Sequence, residues 1–183
     1  MFGKPTDEAL VARALEGSER AWFSLVKRYE RRLYNYGYRM TGSREDAMDI
    51  VQDVLMSVYR NLAGYRGDGV FAAWLFRIAS YRCTDYLRRR GRQPGMDEAD
   101  DIVDEGGIDL ERVDSNAALL QLMGCLSKDQ REVIELKFFQ GFTFEEISMQ
   151  LGISSNTAKS RIYAALRKMK PEAEDGLLMK ERA

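Results

Sequence analysis

The sequence predicts an all-α protein of two small helical domains joined by a flexible acidic linker, the C-terminal domain being a helix-turn-helix. In both halves of the chain, apolar residues recur at intervals of three and four positions. Serine or threonine precedes most of these periodic runs, and glycine follows several of them. No segment alternates between apolar and polar residues convincingly enough to predict a strand.

Charge divides the chain into three segments, although its 183 residues carry a net charge of only −1. Residues 1–92 contain 17 basic and 11 acidic side chains, residues 93–116 contain 1 and 9, and residues 117–183 contain 10 and 9. The middle segment has few large apolar residues, so it cannot bury enough surface to offset the entropy of ordering. We therefore expect two domains with a linker over 93–116. A single domain with a long surface loop is the alternative, but such loops are uncommon.

The first domain, residues 1–92, is predicted to contain four helices. Gly17 ends the first helix, and Ser18 caps the long second one. Ser43 opens the third helix within a sequence that resembles a capping box. A glycine-rich turn separates the third helix from the fourth, which ends in a run of arginines. The periodic runs place these helices at about residues 7–15, 18–40, 43–62 and 70–90.

The second domain, residues 117–183, is predicted to contain four shorter helices, at about residues 116–126, 127–139, 143–151 and 154–169. Capping boxes begin at Ser127 and Thr143, and the last helix is expected to stop before Pro171. Two helices joined across a short turn at Gly152 have the layout of a helix-turn-helix, with a plain helical hairpin as the alternative. We expect its core to consist of Ile147, Leu151, Ile153, Ala158, Ile162 and Leu166.

The start of the last helix has the side chains that a DNA-reading helix needs. Short polar groups allow close approach to the major groove, and Lys or Arg reaches guanine edges or phosphates. For each single residue a solvated surface position is an equal alternative, and Arg161 could instead pair with a preceding helix. The predicted DNA contacts are Asn156, Thr157, Lys159, Ser160, Arg161 and Tyr163.

Composition argues against most enzyme classes. The chain contains no histidine, which removes Ser-His-Asp and Cys-His nucleophile systems and the usual histidine-containing zinc sites. No phosphate-binding glycine motif is present, and Cys83 and Cys125 form no disulfide framework. We therefore expect no catalytic residue, metal or cofactor. Long apolar runs and a signal-peptide core are also absent from the sequence, so we expect a cytoplasmic protein without membrane insertion.

Three segments, in order, resemble bacterial sigma factors of the sigma-70 family. Residues 126–161 resemble the reader of the −35 promoter element, in the pattern Leu126-Ser127-x3-Glu132 through Thr157-Ala158-Lys159-Ser160-Arg161. Residues 46–54, Asp46-Ala47-Met48-Asp49-Ile50-Val51-Gln52-Asp53-Val54, resemble the helix that docks on RNA polymerase. Residues 71–90, from Phe71-x2-Trp74-Leu75 to Arg88-Arg89-Arg90, resemble the promoter-melting segment. Two such domains with only a linker between them resemble the small extracytoplasmic-function class, and the match covers about residues 7–92 and 117–169.

The resemblance implies that the third helix binds the β′ subunit of core polymerase. Asp49, Gln52 and Asp53 share one helical face, and carboxylates suit a basic partner. A solvated acidic face is the alternative. The implied polymerase-binding set is Asp46, Asp49, Ile50, Gln52 and Asp53.

The resemblance also implies that the glycine-rich turn and the fourth helix capture unpaired −10 bases. Aromatic rings stack on flipped bases while arginines follow the phosphates. Core packing is an equal alternative for Phe71 and Trp74, and a terminal arginine run can simply solvate a helix end. The implied set is Tyr65, Arg66, Asp68, Phe71, Trp74, Arg77, Arg82, Arg88 and Arg89, with Arg90 and Arg92 extending the basic run.

A sigma factor would act with core RNA polymerase, through its β′ and β subunits, with promoter DNA and with an inhibitory anti-sigma protein. The acidic linker would imitate a nucleic-acid backbone inside polymerase and shield the basic first domain in the free protein. Two other readings remain open. A helix-turn-helix regulator would bind DNA without polymerase, and a helical adaptor would bind only protein.

Overall fold

The structure, a computed structural model, describes residues 4–67, 69–91 and 119–180, with no side-chain detail for residues 90 and 171–180. The all-α prediction is confirmed: the described residues contain helices and turns and no strand. In the first domain the helices are α1 Asp7–Leu15, α2 Glu19–Thr41, α3 Arg44–Asn61, a 3₁₀ turn Leu62–Gly64, and α4 Phe71–Arg90. In the second they are α5 at 119–124, α6 Lys128–Ile134, a π-helical segment Glu135–Phe139, α7 Phe144–Leu151 and α8 Ser155–Lys180.

The predicted caps form as expected. Ser18 and Ser43 accept hydrogen bonds from the backbone N–H groups of Ala21 and Asp46, at the starts of α2 and α3. Ser127 and Thr143 each form a reciprocal capping box, at the starts of α6 and α7. These caps fix where the helices begin, and so the rotation at which each one presents its side chains.

The first domain is a bundle in which α2 and α3 pack closely, antiparallel across a short turn. At their closest point a Cβ added to Gly37 would lie 3.2 Å from Cα of Ala47. Glycine and alanine at this crossing therefore allow the two backbones to approach. Helix α4 packs across both, and its inner residues Leu75, Phe76 and Ala79 are buried. The outer face of α3 is left open to solvent.

The second domain contains the predicted helix-turn-helix. Gly152 ends α7 with φ of +64°, a conformation that favours glycine, and Ser154 caps α8 by accepting from the N–H of Thr157 at 3.0 Å. Ile147, Ala158 and Ile162 are buried between α6, α7 and α8. The turn therefore directs the start of α8 toward solvent.

Two details of the predicted α8 are wrong. Leu166 is 41% exposed, because α8 buries the face that carries Ala158, Ile162 and Ala165. The helix also continues through Pro171 to Lys180 instead of ending near 169. Proline removes one N–H from the ladder, but strong helix formers follow it and sustain the helical backbone.

The two domains touch. Helix α4 packs against α7, and α2 packs against α6. The rings of Phe76 and Phe142 meet edge to face across this junction, 5.9 Å apart. The predicted linker, 93–116, lies outside the described residues. No helix within the described parts of the chain has the length and apolarity needed to span a bilayer.

Candidate nucleic-acid and polymerase interfaces

The outer face of α3 gathers the predicted acidic residues. Asp49, Gln52 and Asp53 are exposed and lie one helical turn apart along a single stripe. Two exposed methionines flank them, Met48 at 58% and Met56 at 52%. The stripe is therefore an acidic centre bordered by flexible apolar side chains, a composition suited to a protein partner.

Asp46 and Ile50, the other two predicted polymerase contacts, are both 1% exposed. Asp46 accepts a hydrogen bond from Tyr86 Oη at 2.8 Å, which ties the start of α3 to α4. Ile50 belongs to the core. Both residues pack beneath the exposed stripe. Substituting either one would therefore affect a partner only by changing the position of α3.

Sequence reasoning missed the apolar end of this face. Tyr59 is 61% exposed and packs edge to face on Trp22, with ring centroids 5.1 Å apart. Together with Phe23 and Met56 these rings line an open groove of about 610 Å³ between α1, α2 and α3. The i+3 and i+7 spacing from Met56 and Gln52 to Tyr59 was the available signal.

A cluster of aromatic rings lies where the turn after α3 meets α4. The Tyr65 ring is 5.3 Å from that of Phe71 and 5.5 Å from that of Trp74. Tyr65 Oη also donates to the carbonyl of Gly69 at 2.6 Å, which closes the loop on itself. Phe71 is fully buried, so core packing, the alternative reading, describes its contacts. Trp74 and Tyr65 remain partly open.

Two cavities meet at Trp74. The first, of 520 Å³, is lined by the loop, by Arg66 and Arg77, and by residues of α7. The second, of 560 Å³, is lined by Arg60, Arg77, Tyr81 and Arg82. Arginine around an accessible indole is the combination that holds unpaired bases and their phosphates. Arg60 was not predicted because it reaches this cavity from α3, whereas Tyr81 follows Arg77 by four residues on α4, a spacing that was an available signal.

The arginines that end α4 lie outside the two cavities and pair with a carboxylate on their own helix. Arg88 and Arg89 both pair with Asp85, at 2.6 and 2.7 Å, while their side chains stay mostly exposed. Exposed pairs of this kind are weak, so a phosphate can replace the carboxylate. Arg82 lies beside the ring of Tyr81, 6.0 Å from its centroid. Asp68 and Arg92 lie outside the described residues, as does the side chain of Arg90.

The predicted DNA-reading residues lie at the outward start of α8. Asn156, Lys159, Ser160 and Tyr163 are exposed, and Thr157 is half-buried beside the Ser154 cap. Arg161 instead forms an ion pair with Asp129 of α6 at 2.7 Å. This matches the alternative reading of Arg161 as a partner of a preceding helix. The four exposed residues among the predicted contacts at the start of α8 are therefore one cation, two short polar groups and one phenol.

Comparison with known proteins matches both domains. The family profile for "Sigma-70 region 2" covers residues 25–93, and that for "Sigma-70, region 4" covers residues 116–169. The "ECF RNA polymerase sigma-E factor" of Escherichia coli is 30% identical over 179 residues, which span 87% of this chain and 90% of the relative. The "RNA polymerase sigma-H factor" of Pseudomonas aeruginosa is 29% identical over 178 residues, 90% of this chain and 92% of the relative.

Two solved structures share the fold. CnrH in complex with the cytosolic domain of CnrY has a TM-score of 0.71 at 28% identity, covering 92% of this chain and 97% of that one. The sigma factor RpoE in complex with the anti-sigma factor NepR from Bartonella quintana has a TM-score of 0.65 at 25% identity, covering 84% and 96%.

Proposed function

This chain belongs to the sigma-70 family, as an extracytoplasmic-function sigma factor that binds RNA polymerase and directs promoter-specific initiation, and from that premise we propose which surfaces carry each step. The observation that carries the proposal is the exposed stripe on α3. Its carboxylates, Asp49 and Asp53, are both exposed to solvent, although Asp49 also accepts a long hydrogen bond of 3.5 Å from Tyr86 Oη.

Polymerase binds this stripe through a basic surface of its β′ subunit, with contacts to β made elsewhere on the chain. Asp49 and Asp53 supply the charge, and Gln52 supplies a hydrogen-bonding amide between them. Met48, Met56 and Tyr59 add apolar contact beside the charges, and Met and Tyr are residue types that are enriched at protein interfaces.

The −10 element is captured at Trp74. One unpaired base stacks on the accessible indole and on Tyr65, while Arg66, Arg77 and Arg82 hold the adjoining phosphates. Phe71 sets the position of both rings from below through its own ring contacts. Arg88 and Arg89 exchange Asp85 for phosphates further along the strand.

The −35 element is read as duplex by the start of α8 in the major groove. Asn156 and Ser160 reach base edges, Lys159 reaches a guanine edge or a phosphate, and Tyr163 contacts the backbone. Arg161 forms an ion pair with Asp129 and so fixes α8 against α6. Its role in −35 binding is therefore to position α8.

The protein works in the cytoplasm, where the polymerase is, and the reaction chemistry belongs to the polymerase. An anti-sigma protein is a further proposed partner, since one of the structural neighbours described above is a sigma factor, RpoE, in complex with the anti-sigma factor NepR. The anti-sigma protein would compete for the surfaces that polymerase and promoter need.

A direct test uses purified core polymerase and the full chain. The variant Asp49→Ala/Gln52→Ala should bind core at least about tenfold more weakly, in line with loss of a charged interfacial contact, and should lose promoter-dependent abortive transcripts. Glu30→Gln, an exposed carboxylate on α2, serves as the control and should behave like wild type. Wild-type chain that binds promoter duplex tightly yet never binds core would instead support the helix-turn-helix regulator.

A further inference from the structure

The start of α1 is fixed to α2 through one carboxylate. Asp7 accepts hydrogen bonds from Arg28 and from Tyr29 Oη, which are neighbours on α2. Arg28 Nη2 also donates to the carbonyl of Pro5, at 2.7 Å. The side chain of Asp7 is 17% exposed, so water has limited access to these bonds. A carboxylate that accepts from a cation and a phenol together makes a stronger contact than an exposed surface pair.

Tyr29 extends this contact into the core of the first domain. The residue is 3% exposed, and burial together with the hydrogen bond to Asp7 raises the pKa of its phenol, so the hydroxyl remains a donor at neutral pH. The ring of Tyr29 meets that of Phe71 edge to face, with centroids 5.6 Å apart. A closely packed ring has few alternative positions. Fixing the hydroxyl of Tyr29 therefore also fixes the surface on which Phe71 packs.

Phe71 connects Tyr29 with the proposed −10 site. Its buried ring lies 5.6 Å from that of Trp74 and 5.3 Å from that of Tyr65. Trp74 and Tyr65 both line the 520 Å³ cavity in which we place the unpaired base. The four rings are therefore a continuous series that begins at Asp7 and ends at the cavity.

Helix α1 also contacts the segment that leads into this cavity. It packs against the 3₁₀ turn Leu62–Gly64, and Leu10 of α1 and Leu62 are both buried. The N–H of Tyr65 donates to the carbonyl of Leu62 at 3.1 Å, so the turn sets where the Tyr65 side chain begins. The start of the chain thus supports the cavity at two points, through the series of rings and through the turn.

We propose that Asp7 and Tyr29 are positioning residues for −10 recognition. Their hydrogen bond holds the ring of Phe71, and Phe71 in turn holds the two rings that receive an unpaired base. Asp7 and Tyr29 themselves lie outside the set of residues that lines the cavity. This role rests on the proposed function of Trp74. A stacking surface that is already in place needs no ordering when the strand binds, so losing the hydrogen bond should weaken strand binding.

The experiment compares Tyr29→Phe with the wild-type chain, each assembled with core polymerase into holoenzyme. The variant keeps the ring that packs on Phe71 and loses the hydroxyl that Asp7 accepts from. We expect its affinity for a labelled non-template single strand that carries the −10 element to fall about three- to tenfold. Core binding should remain at its wild-type value, because the exposed stripe on α3 is unchanged.

Tyr36→Phe is the matched control. Tyr36 lies on the same helix and is fully buried, and its hydroxyl has no hydrogen-bond partner among the described residues. Its ring packs edge to face on that of Phe76, with centroids 5.7 Å apart. This variant deletes the same group from the same kind of site, and it should bind the strand like wild type.

Two substitutions of Asp7 separate its bond to Tyr29 from its ion pair with Arg28. Both remove the charge that pairs with Arg28, but Asp7→Asn keeps an oxygen that can accept from Tyr29 Oη, whereas Asp7→Ala does not. We expect the Asn variant to bind the strand more tightly than the Ala variant. An Asn variant that binds no better than the Ala variant would overturn the role of this hydrogen bond.

Fluorescence of the free full-length chain follows the cavity without DNA. The chain has two tryptophans, so a Trp22→Phe background leaves Trp74 as the reporter. In that background Tyr29→Phe should lower the anisotropy of Trp74 and raise its acrylamide quenching constant, while Tyr36→Phe should change neither. Helix content by circular dichroism should stay the same in all three chains, which separates a displaced ring from an unfolded domain.

Equal strand affinity and equal Trp74 fluorescence in the Tyr29→Phe and Tyr36→Phe variants would overturn the positioning role. Trp74→Ala shows whether the −10 site itself is at fault. If Trp74→Ala weakens strand binding and Tyr29→Phe does not, the positioning role fails and the proposed function stands. If neither substitution weakens strand binding, the proposed −10 site fails as well.

Discussion

Ser80 on α4 and Glu132 on α6 form a buried hydrogen bond that connects the two domains. Burial raises the pKa of Glu132 above its ordinary value of 4.5, and the hydrogen bond from Ser80 opposes this only in part. The junction thus contains a carboxyl group that is easier to bury in its neutral form.

This pKa shift predicts a pH dependence of stability. The folded chain holds the Glu132 proton more tightly than the unfolded chain, so its contribution is complete below pH 4.5 and is lost as pH rises through the folded pKa. Glu132→Gln keeps an acceptor for Ser80 and should flatten this part of the profile while raising stability at pH 7. Urea unfolding between pH 4.5 and 7.5 measures it, with Glu30→Gln as control. Parallel profiles for Glu132→Gln and wild type would contradict the prediction.

Asp46 and Asp49 should separate stability from polymerase binding. Asp46→Ala removes the acceptor of Tyr86 Oη from a buried site and should cost about 1–3 kcal/mol in unfolding free energy. Asp49→Ala changes an exposed residue and should alter stability by less than about 0.5 kcal/mol while weakening core binding. Thermal unfolding and a core-binding titration on both variants test this. Equal stability losses would show that the exposed stripe is structural.

Phe71 and Trp74 should separate stability from −10 strand binding. Phe71→Ala empties a fully buried site and should cost about 3–5 kcal/mol of stability. Trp74→Ala should cost less but should lower the affinity of polymerase holoenzyme for a −10 non-template single strand by about 1–3 kcal/mol, the value of one stacked base. Fluorescence anisotropy with the labelled strand measures that affinity. Unchanged strand binding by the Trp74 variant would remove this residue from the −10 site.

Lys159 should contribute to −35 binding through charge. If it contacts phosphate, Lys159→Ala should weaken binding to all duplexes and reduce the slope of log affinity against log salt by about 1. If it contacts a guanine edge, the loss should be about 1–3 kcal/mol and confined to the preferred sequence. Lys168→Ala, exposed further along α8, is the matched control. Holoenzyme titrations at several salt concentrations distinguish these results, and equal effects of both variants would refute a specific role for Lys159.

Local features of the fold could be predicted because they depend on residues close together in the chain. Capping-box spacings predict the caps at Ser43, Ser127 and Thr143, and the position of Ser18 between Gly17 and a periodic run predicts the fourth cap. The error at Leu166 has a different origin: both 165 and 166 suit the spacing from Ile162, and only packing against α6 and α7 chooses between them. The same limit explains Arg60, which reaches the Trp74 cavity from α3 while Trp74 itself lies on α4.

The sequence by itself determined the helices, the helix-turn-helix, the family and the acidic stripe of α3, since each follows from periodicity, capping or spacing within one segment. Tertiary structure alone decided that Asp46, Ile50 and Phe71 are buried and that Arg161 pairs with Asp129. It also decided that Arg39 meets Glu135, a residue 96 positions away. The physical reason is that burial and long-range pairing depend on how whole helices pack, and no local pattern specifies which charge will face which across a domain junction.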